Sequence, residues 1–515
     1  MRKLSILCLL ALMMVFTTGC TDWLDTKPES EIILDEYWKK EADVEAVVAS
    51  SYKALTEGTV ISRMIVWGEL RSDNLVSVGN VVELNLYKIL QGNITPTNIY
   101  TSWSAFYQVI NYCNTVLKYA PVVCERDENF TQADLAQAKS EVLSIRALAY
   151  FYLVRSFRDV PWMSEASVSD NQEYNVKLST EDEILTTIIK DLKYAEQNIT
   201  EDYGKTNYNK GRFTKSSVQA LLADIYLWKN EYQNCIDECD KVMNNKSLNL
   251  LPARNAYTQL FYFGNSTESI FELQFKDNVQ ENYTIDNFYG TVSFTGLLSY
   301  PTTMSYNPYS GKAGAFSPFL YKVTPNFTES EKDIRAKDSY TETNQIFKYV
   351  GVTRVDNGTG DKGVYAYRTN TSNWIVYRLS DVMLMKAEAL VELDSVPYFK
   401  SALSLVNKTY LRSNEGQDSL SLSNYSNQSD LRLLVLRERQ RELLFEGKRW
   451  FDLVRMARRE NSTQNLSNYV DRKSSGNSVS LGVPVIDALF MPISRSELQA
   501  NPNLKQNKYY STNEN

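Results

Sequence analysis

The chain has 515 residues, of which 43% are apolar, and carries 62 acidic against 55 basic side chains. It contains no histidine, which excludes a Ser–His–Asp or Cys–His relay, a histidine-containing metal site and an imidazole pH switch. The net charge of −7 argues against a nucleic-acid-binding protein, which would present a basic surface. Tyrosine is abundant, with 34 residues, and its amphipathic ring suits the grip of a partly polar ligand.

The N-terminus has the pattern of an export signal. Arg2 and Lys3 precede an apolar run over 4–16, and small residues follow up to Cys20. The run is too short to span a bilayer, so we predict a signal peptide over 1–19 that is removed. Small residues before Cys20 predict a lipoprotein site, at which the new N-terminal cysteine carries acyl chains and gives a stable anchor. The mature chain would hold 53 basic and 62 acidic side chains, a net charge of −9.

Apolar residues at spacings of three and four predict that helices dominate the chain. The predicted helices cover 41–56, 101–119, 131–158, 180–198, 214–230, 231–244, 375–393, 395–412 and 430–458. Thr131, Thr180 and Thr214 are predicted N-caps, and Glu183 completes a capping box with Thr180.

Two segments have the small-residue spacing of tetratricopeptide helix pairs. Ala220, Ala223 and Tyr226 precede a second helix with Cys235 and Cys239, and 384–406 repeats the arrangement. Such units bury their apolar faces only by stacking. We therefore predict a mainly α fold, a tetratricopeptide-like helical superhelix with an irregular, loop-rich insertion that carries short strands. The predicted regions are 1–19 (signal peptide), 20–245 (N-terminal helical region), 246–374 (aromatic-rich insertion) and 375–515 (C-terminal helical region).

The insertion is rich in Gly, Pro and Asn, with strand-like runs over 269–275 and 345–350. The Asp/Gly-rich stretch 356–361 misses the EF-hand spacing, so a solvated turn is predicted rather than a calcium site. Besides Cys20, the processed chain keeps four cysteines, namely Cys113, Cys124, Cys235 and Cys239, and we predict them to be small core residues. No catalytic residue, metal or cofactor is predicted.

The segment 283–321 is the most unusual part of the chain. Ten of its 39 residues are aromatic, only Asp286 and Lys312 are charged, and its turn formers predict irregular loop. Aromatic faces suit the C–H face of a sugar ring, and the amides of Asn282, Asn287 and Asn307 suit its hydroxyls. A loop that packs its own rings as a small core is the structural alternative. The predicted ligand-binding residues are Tyr283, Tyr289, Tyr300, Tyr306 and Tyr309, with Trp67 or Tyr87 on a facing loop.

Five motifs in order resemble the SusD/RagB family of Bacteroidetes outer-membrane lipoproteins over nearly the whole chain. They are 22–28 after the lipid cysteine, 146–155 with Asp159-Val160-Pro161, 378–389, 437–455 with Phe445-Glu446-Gly447, and 492–507. Within the second motif, Phe157-Arg158 stands where Phe-Gly is usual. The resemblance implies a surface-exposed protein, anchored to the outer membrane, that caps a SusC-like TonB-dependent transporter and delivers glycans or, in some members, peptides.

Three functions remain open at this stage: a glycan- or peptide-binding lipoprotein, a glycoside hydrolase on a helical toroid, and a tetratricopeptide scaffold for a protein partner. A hydrolase would need two carboxylates beside the sugar platform, and only Asp73 or Glu69 could join Asp286 there. We interpret Glu442, Arg449 and Asp452 as structural ion pairs rather than a catalytic cluster. The binding lipoprotein is the preferred hypothesis.

Overall fold

The computed structural model describes residues 37–77, 83–168, 172, 174–252, 256–291, 296–299, 306–307, 312–313, 320–323, 326–329, 333–340, 345–349, 352–355, 364–367, 371–471 and 482–511. Cys20 and the stretch 356–361 lie outside these residues. The α-helices in the described ranges are α1 (Glu41–Leu55), α2 (Gly58–Ile65), α3 (Leu84–Leu90), α4 (Ser104–Cys124), α5 (Gln132–Phe157), α6 (Glu181–Asn198), α7 (Thr206–Gly211), α8 (Lys215–Trp228), α9 (Tyr232–Met243), α10 (Tyr283–Tyr289), α11 (Ile334–Ser339), α12 (Leu379–Glu392), α13 (Val396–Ser413), α14 (Gln428–Glu442), α15 (Arg449–Glu460), α16 (Gln464–Asp471), α17 (Arg495–Ala500) and α18 (Lys508–Ser511).

Polar caps set the starts of two long central helices as predicted. The Thr131 hydroxyl accepts from the Asp134 N–H at 3.3 Å, and the Asp134 carboxylate accepts from the Thr131 N–H. Thr180 and Glu183 form the same reciprocal pair. Each box satisfies two N–H groups that the helix leaves without partners.

The helices stack in the predicted superhelix. Helix α8 packs against α9, α12 packs against α13, and α9 packs against α12. The second helix of one pair therefore meets the first helix of the next pair directly, although the insertion separates them in sequence. Helices α4, α5 and α6 extend the stack in chain order, and α14 packs against α12 and α13. The fold is the predicted mainly helical, tetratricopeptide-like one.

The strands are short and pair two by two. They are β1 (Val76–Ser77), β2 (Val160–Pro161), β3 (Leu178–Ser179), β4 (Ser269–Leu273), β5 (Leu298–Ser299), β6 (Tyr306–Asn307), β7 (Lys312–Ala313), β8 (Leu320–Val323), β9 (Asn326–Glu329), β10 (Val352–Val355), β11 (Val364–Tyr367) and β12 (Trp374–Arg378). Each pair is antiparallel: β1 with β5, β2 with β3, β4 with β12, β6 with β7, β8 with β9 and β10 with β11. Strands β4 and β12 are buried along their whole length, so the two ends of the insertion meet in the core.

Four local predictions were wrong. Residues 375–378 are strand rather than the start of a helix, because they pair with β4. The predicted helix over 430–458 is two helices separated by 443–448. The segment 283–289 is a short helix, and 345–346 forms only isolated bridges, to Ser299 and Tyr340.

The turn over 443–448 that separates α14 from α15 lies against a π-helical turn over 66–70 that continues α2. Gly447 has φ +71°, which favours glycine, and a Cβ on Gly68 would lie 2.0 Å from the Gly447 carbonyl oxygen. The two glycines therefore let the backbones touch.

Charged side chains from other parts of the chain bind the polar groups of this turn and of Glu442, the residue directly before it. The Arg378 guanidinium donates to the Glu442 carbonyl, and the Lys348 ammonium donates to the Leu444 carbonyl at 2.8 Å. Arg378 and Lys348 also pair with the Glu446 carboxylate. The insertion and β12 are thus tied to the C-terminal helices by buried charge.

The three motif charges are structural, as interpreted from the sequence, and most of their partners lie on other elements. Buried Glu442 contacts Arg335 at 3.0 Å and Arg378 at 2.6 Å, and also pairs with Arg412. Burial alone would raise the pKa of Glu442, but the three guanidinium groups hold it well below the usual range.

The other two charged residues of the motif, Arg449 and Asp452, also form buried ion pairs. Arg449 binds both carboxylate oxygens of Asp73, at 2.7 and 2.9 Å. Asp452 bridges Arg439 and Arg455. Cys113, Cys235 and Cys239 are buried as predicted, whereas Cys124 is half-buried against the core.

Arg158 occupies a backbone conformation that suits glycine. It lies at φ +71°, ψ −79°, directly after α5, and this region is rare and strained for a residue with a side chain. Its side chain compensates by donating to Asp487 at 2.7 Å and by lying 5.3 Å from the Phe490 ring centroid.

We expect Arg158→Ala to lower the free energy of unfolding by about 1–2 kcal/mol, because alanine keeps the strain and loses the two contacts. Arg158→Gly should lie within about 1 kcal/mol of the wild type, since relief of strain offsets those losses. Urea denaturation of both variants measures the difference. Equal stabilities of the two variants would show that the position carries no strain.

Candidate functional site

A short ladder joins the two segments that the sequence analysis placed opposite each other. Val76 pairs with Ser299 and Ser77 pairs with Leu298. Helix α3 packs against β1, and α10 packs against β5 and α2. The segments around 67–87 and 283–299 therefore form one surface.

Two predicted tyrosines are exposed on this surface. Tyr87 is 43% exposed and Tyr283 is 59% exposed. Tyr87 was predicted in a loop but lies on α3, and Tyr283 is the first residue of α10. Two aliphatic residues are also exposed, Leu84 one turn before Tyr87 and Ile99, which follows Asn98. We call Leu84, Tyr87, Ile99 and Tyr283 the tyrosine face.

Local hydrogen bonds hold the tyrosine face in place. The Asn98 amide donates to the Asn85 carbonyl at 2.9 Å, which joins the Ile99 segment to α3. The Arg63 guanidinium of α2 donates to the Ile99 carbonyl at 2.8 Å. The Thr284 hydroxyl of α10 donates to the Gly58 carbonyl at the other end of α2. Helix α2 therefore contacts both the Ile99 segment and α10.

Trp67 and Tyr289 must be removed from the candidate set. Trp67 is 1% exposed, stacks on Phe106 at 4.9 Å and donates to the Tyr100 carbonyl. Tyr289 is fully buried, stacks on Tyr349 at 5.6 Å and donates to the Phe445 carbonyl. Neither ring has a face that a ligand can reach, because both fill the core beneath the ladder.

Among the other predicted residues, the structure describes the side chains of Asn282 and Asn287. Tyr300 and Tyr309 lie outside the described residues, and Tyr306 is described only as backbone, in β6. Asn282 is buried and donates to the Ser372 carbonyl, so its amide serves the fold, whereas Asn287 is exposed. Asn307 is the backbone neighbour of Tyr306 in β6.

Three residues that form or support the tyrosine face were not predicted from the sequence: Leu84, Ile99 and Arg63. Leu84 and Tyr87 are three residues apart on one helix face, a signal that was available. Ile99 and Arg63 carry no such signal, because their position depends on the packing of α2 against the 98–101 segment.

The carboxylates that a hydrolase would use are committed elsewhere. Asp73 binds Arg449 and also accepts from the Gln440 amide at 3.2 Å. Glu69 is fully buried beneath the 443–448 turn. Neither can approach a ligand on the tyrosine face.

Glu69 connects the base of the tyrosine face to the C-terminal region. Its carboxylate accepts from the Asn74 amide at 2.7 Å and from the backbone N–H groups of Phe445 and Lys448 at 3.2 and 3.1 Å. The Arg449 N–H is a fourth donor, at 3.5 Å. Burial nevertheless raises the pKa of Glu69 to about 7.

Comparison with known proteins assigns the family. A model described as the SusD family matches residues 226–510, and a second, described as "Starch-binding associating with outer membrane", matches residues 22–227. The first match alone spans more than half of the chain. The chain belongs to the SusD family, as its motifs indicated.

Individual relatives agree with this assignment. The chain is 24% identical over 486 residues to SusD-like protein P38 of Formosa agariphila, covering 88% of this chain and 91% of the relative. It is 24% identical over 466 residues to a SusD-like protein of Bacteroides ovatus, covering 85% of this chain and 79% of that protein.

Solved structures show the same fold. A SusD superfamily protein from Bacteroides thetaiotaomicron superposes with a TM-score of 0.69 at 19% identity, covering 92% of this chain and 99% of that one. A laminarin-binding SusD-like protein gives 0.66 at 21% identity, covering 92% and 100%. Among the described helices of the present chain, none has both the length and the hydropathy needed to cross a bilayer.

The raised pKa of Glu69 predicts a pH-dependent stability. Because the folded state binds this proton more tightly than the unfolded state, the stabilisation is complete below the ordinary glutamate pKa near 4.5 and is lost as pH rises through about 7. The free energy of unfolding should fall by up to about 3 kcal/mol between pH 5 and pH 8. Glu69→Gln should remove most of this decrease in urea denaturation.

The absence of histidine makes this measurement clear, since no imidazole titrates in the same interval. An unchanged pH profile in Glu69→Gln would contradict the role assigned to Glu69. Glu128→Gln, at an exposed position, is the matched control.

Proposed function

We propose that this protein is a cell-surface lipoprotein that captures a neutral oligosaccharide or polysaccharide on the tyrosine face. The observation that carries the proposal is the exposure of Tyr87 and Tyr283 on two helices held together by the β1–β5 ladder. Rings presented by ordered elements lose little freedom when a sugar stacks on them.

The chemistry of the surface supports a neutral ligand. The segment 283–321 has only Asp286 and Lys312 as charged residues. Beside Tyr283, the Glu281 carboxylate accepts a hydrogen bond from the phenol, and together with Asp286 and Asp277 it raises the pKa of Tyr283. These carboxylates oppose an anionic ligand, which favours a neutral glycan over an acidic polysaccharide. Tyrosine hydroxyls and the exposed Asn287 amide match sugar hydroxyls. Membership of a family with a starch-binding model and a laminarin-binding structural relative supports the same ligand class.

Anchoring and transfer complete the proposal. Acylated Cys20 would hold the protein on the outer membrane, and residues 21–36 would link the anchor to the first described helical residues. The captured glycan would pass to a SusC-like TonB-dependent transporter, as the family resemblance implies. We propose binding without hydrolysis, because Asp73 and Glu69, which could have joined Asp286 beside the ligand, are engaged in the core.

Alanine variants of the exposed tyrosines test the site. Tyr87→Ala and Tyr283→Ala should each weaken binding of the preferred glycan by about 5–30-fold, because each ring contributes on the order of 1–2 kcal/mol of stacking contact. Their melting temperatures should stay near that of the wild type, since both rings are exposed. Isothermal titration calorimetry against a glycan panel and an oligopeptide panel measures the affinities.

The buried aromatic residues provide the matched control. Trp67→Ala and Tyr289→Ala should lower the free energy of unfolding by about 3–5 kcal/mol, as expected for large core residues. Unchanged glycan affinity in folded Tyr87→Ala and Tyr283→Ala would place the site elsewhere. Selective binding of peptides would replace glycan by peptide as the ligand.

Cys20→Ser tests the anchor. The variant lacks the acylated sulfur and should move from the membrane fraction to the soluble fraction in cells without the transporter, since no other lipid attachment is predicted. Fractionation followed by immunoblotting measures the distribution. Wild-type membrane association of Cys20→Ser in those cells would contradict lipidation at this residue.

A further inference from the structure

A second cavity lies between α4, the segment that follows β2, and the C-terminal helix α17. Its volume is about 300 Å³, at the lower end of the range for small-molecule pockets. It is lined by Trp103, Ser104, Tyr107, Ile110, Asn111, Asn114, Pro161, Met163, Glu165, Ser167, Tyr174, Glu497, Ala500, Asn501 and Leu504. None of these residues belongs to the tyrosine face.

Amide side chains hold the wall of this cavity in place. Asn114 donates to the carbonyls of Met163 and Glu165, at 2.8 and 3.1 Å, and Asn111 accepts from the Ser167 N–H at 2.6 Å. Asn501 donates to the Val176 carbonyl at 2.8 Å. These amides are occupied by backbone groups, so the cavity is preformed and the amides do not determine what it binds.

The charged residues that line the cavity are acidic. Glu165 and Glu497 are its two charged residues, and neither forms an ion pair with a described residue. No Lys or Arg is among the described residues that line it. The neighbouring Arg146 donates to Asn114 but pairs with Asp191 at 2.6 Å, so its charge is compensated.

Aromatic rings line the same space. Trp103 is buried and packs edge to face on Tyr107 at 5.8 Å, whereas the Tyr107 ring is half-buried and Tyr174 is exposed at the rim. Glu497 is half-buried beside Trp103, and burial raises its pKa against the effect of a hydrogen bond from Trp103. A partly desolvated carboxylate beside aromatic rings attracts a cation both by charge and by the ring quadrupole.

We propose that this cavity is a second binding site, which takes a small organic cation: an ammonium group on a body no larger than one sugar ring. The cationic group lies between Glu497 and the aromatic rings, and the body occupies the space lined by Ile110, Met163 and Leu504. The site is independent of glycan capture on the tyrosine face.

Ligand pairs that differ in charge test the proposal. Choline carries a permanent charge, and D-glucosamine differs from D-glucose by one ammonium group. We expect the mature protein to bind choline and glucosamine at least about tenfold more tightly than glucose, in calorimetry or ligand-observed NMR, because the cation gains both attractions. Equal binding of glucose, or no binding of either cation up to millimolar concentration, would overturn the proposal.

Three variants assign the binding to this cavity. Glu497→Gln should weaken binding of both cations by at least about fivefold, whereas Glu128→Gln, which removes the same charge elsewhere, should not. Ala500→Trp, at an exposed lining position, should fill the cavity and abolish cation binding. Glycan binding should be unchanged in all three, and thermal melts confirm folding. Wild-type cation affinity in both folded Glu497→Gln and Ala500→Trp would show that the cation binds elsewhere.

Discussion

The turn over 443–448 is the feature on which the rest of the structure depends. A turn inside a protein leaves carbonyl and N–H groups that must find partners. Here Lys348 donates to the Leu444 carbonyl, and Arg378 donates to the carbonyl of Glu442 directly before the turn. The Glu69 carboxylate accepts from the N–H groups of Phe445 and Lys448. Tyr289 adds a third donor, to the Phe445 carbonyl. The N-terminal region, the insertion, β12 and the C-terminal helices therefore meet at one short piece of backbone.

This arrangement has an energetic consequence. Taking Glu442, Glu446, Arg378 and Lys348 out of water costs several kcal/mol for each ion, and mutual pairing recovers that cost only with good geometry. Removing one partner from such a network costs about 3–5 kcal/mol, because an uncompensated charge is left buried. Each of these four buried groups has an ion-pair partner within the network.

The same contacts connect the core to the proposed function. Glu69 lies in the π-helical turn that precedes β1, and β1 forms the ladder with β5 that joins the α3 and α10 segments. The exposed tyrosines therefore rest on elements that the buried turn positions. A binding surface built in this way is ordered before the ligand arrives, which reduces the entropy cost of capture.

Local patterns were sufficient for most of the helical fold. Apolar spacing and threonine caps predicted the long helices, because amphipathic periodicity and capping are properties of neighbouring residues. Residues 375–378 and 443–448 are not helical, contrary to the prediction. The first segment pairs with β4 and the second contacts Gly68, and both partners are far away in sequence. The helical pattern continues through both segments, so only long-range contacts could interrupt it.

The sequence by itself determined the family and the helical superhelix, and it suggested the segments of the proposed ligand-binding surface. Only the tertiary structure decided which aromatic rings of those segments are exposed. Trp67 and Tyr289 were predicted to bind ligand together with Tyr87 and Tyr283, yet the first two stack in the core and the second two are exposed. Exposure depends on what packs against each ring, and the rings of Phe106 and Tyr349, which cover Trp67 and Tyr289, come from distant parts of the chain.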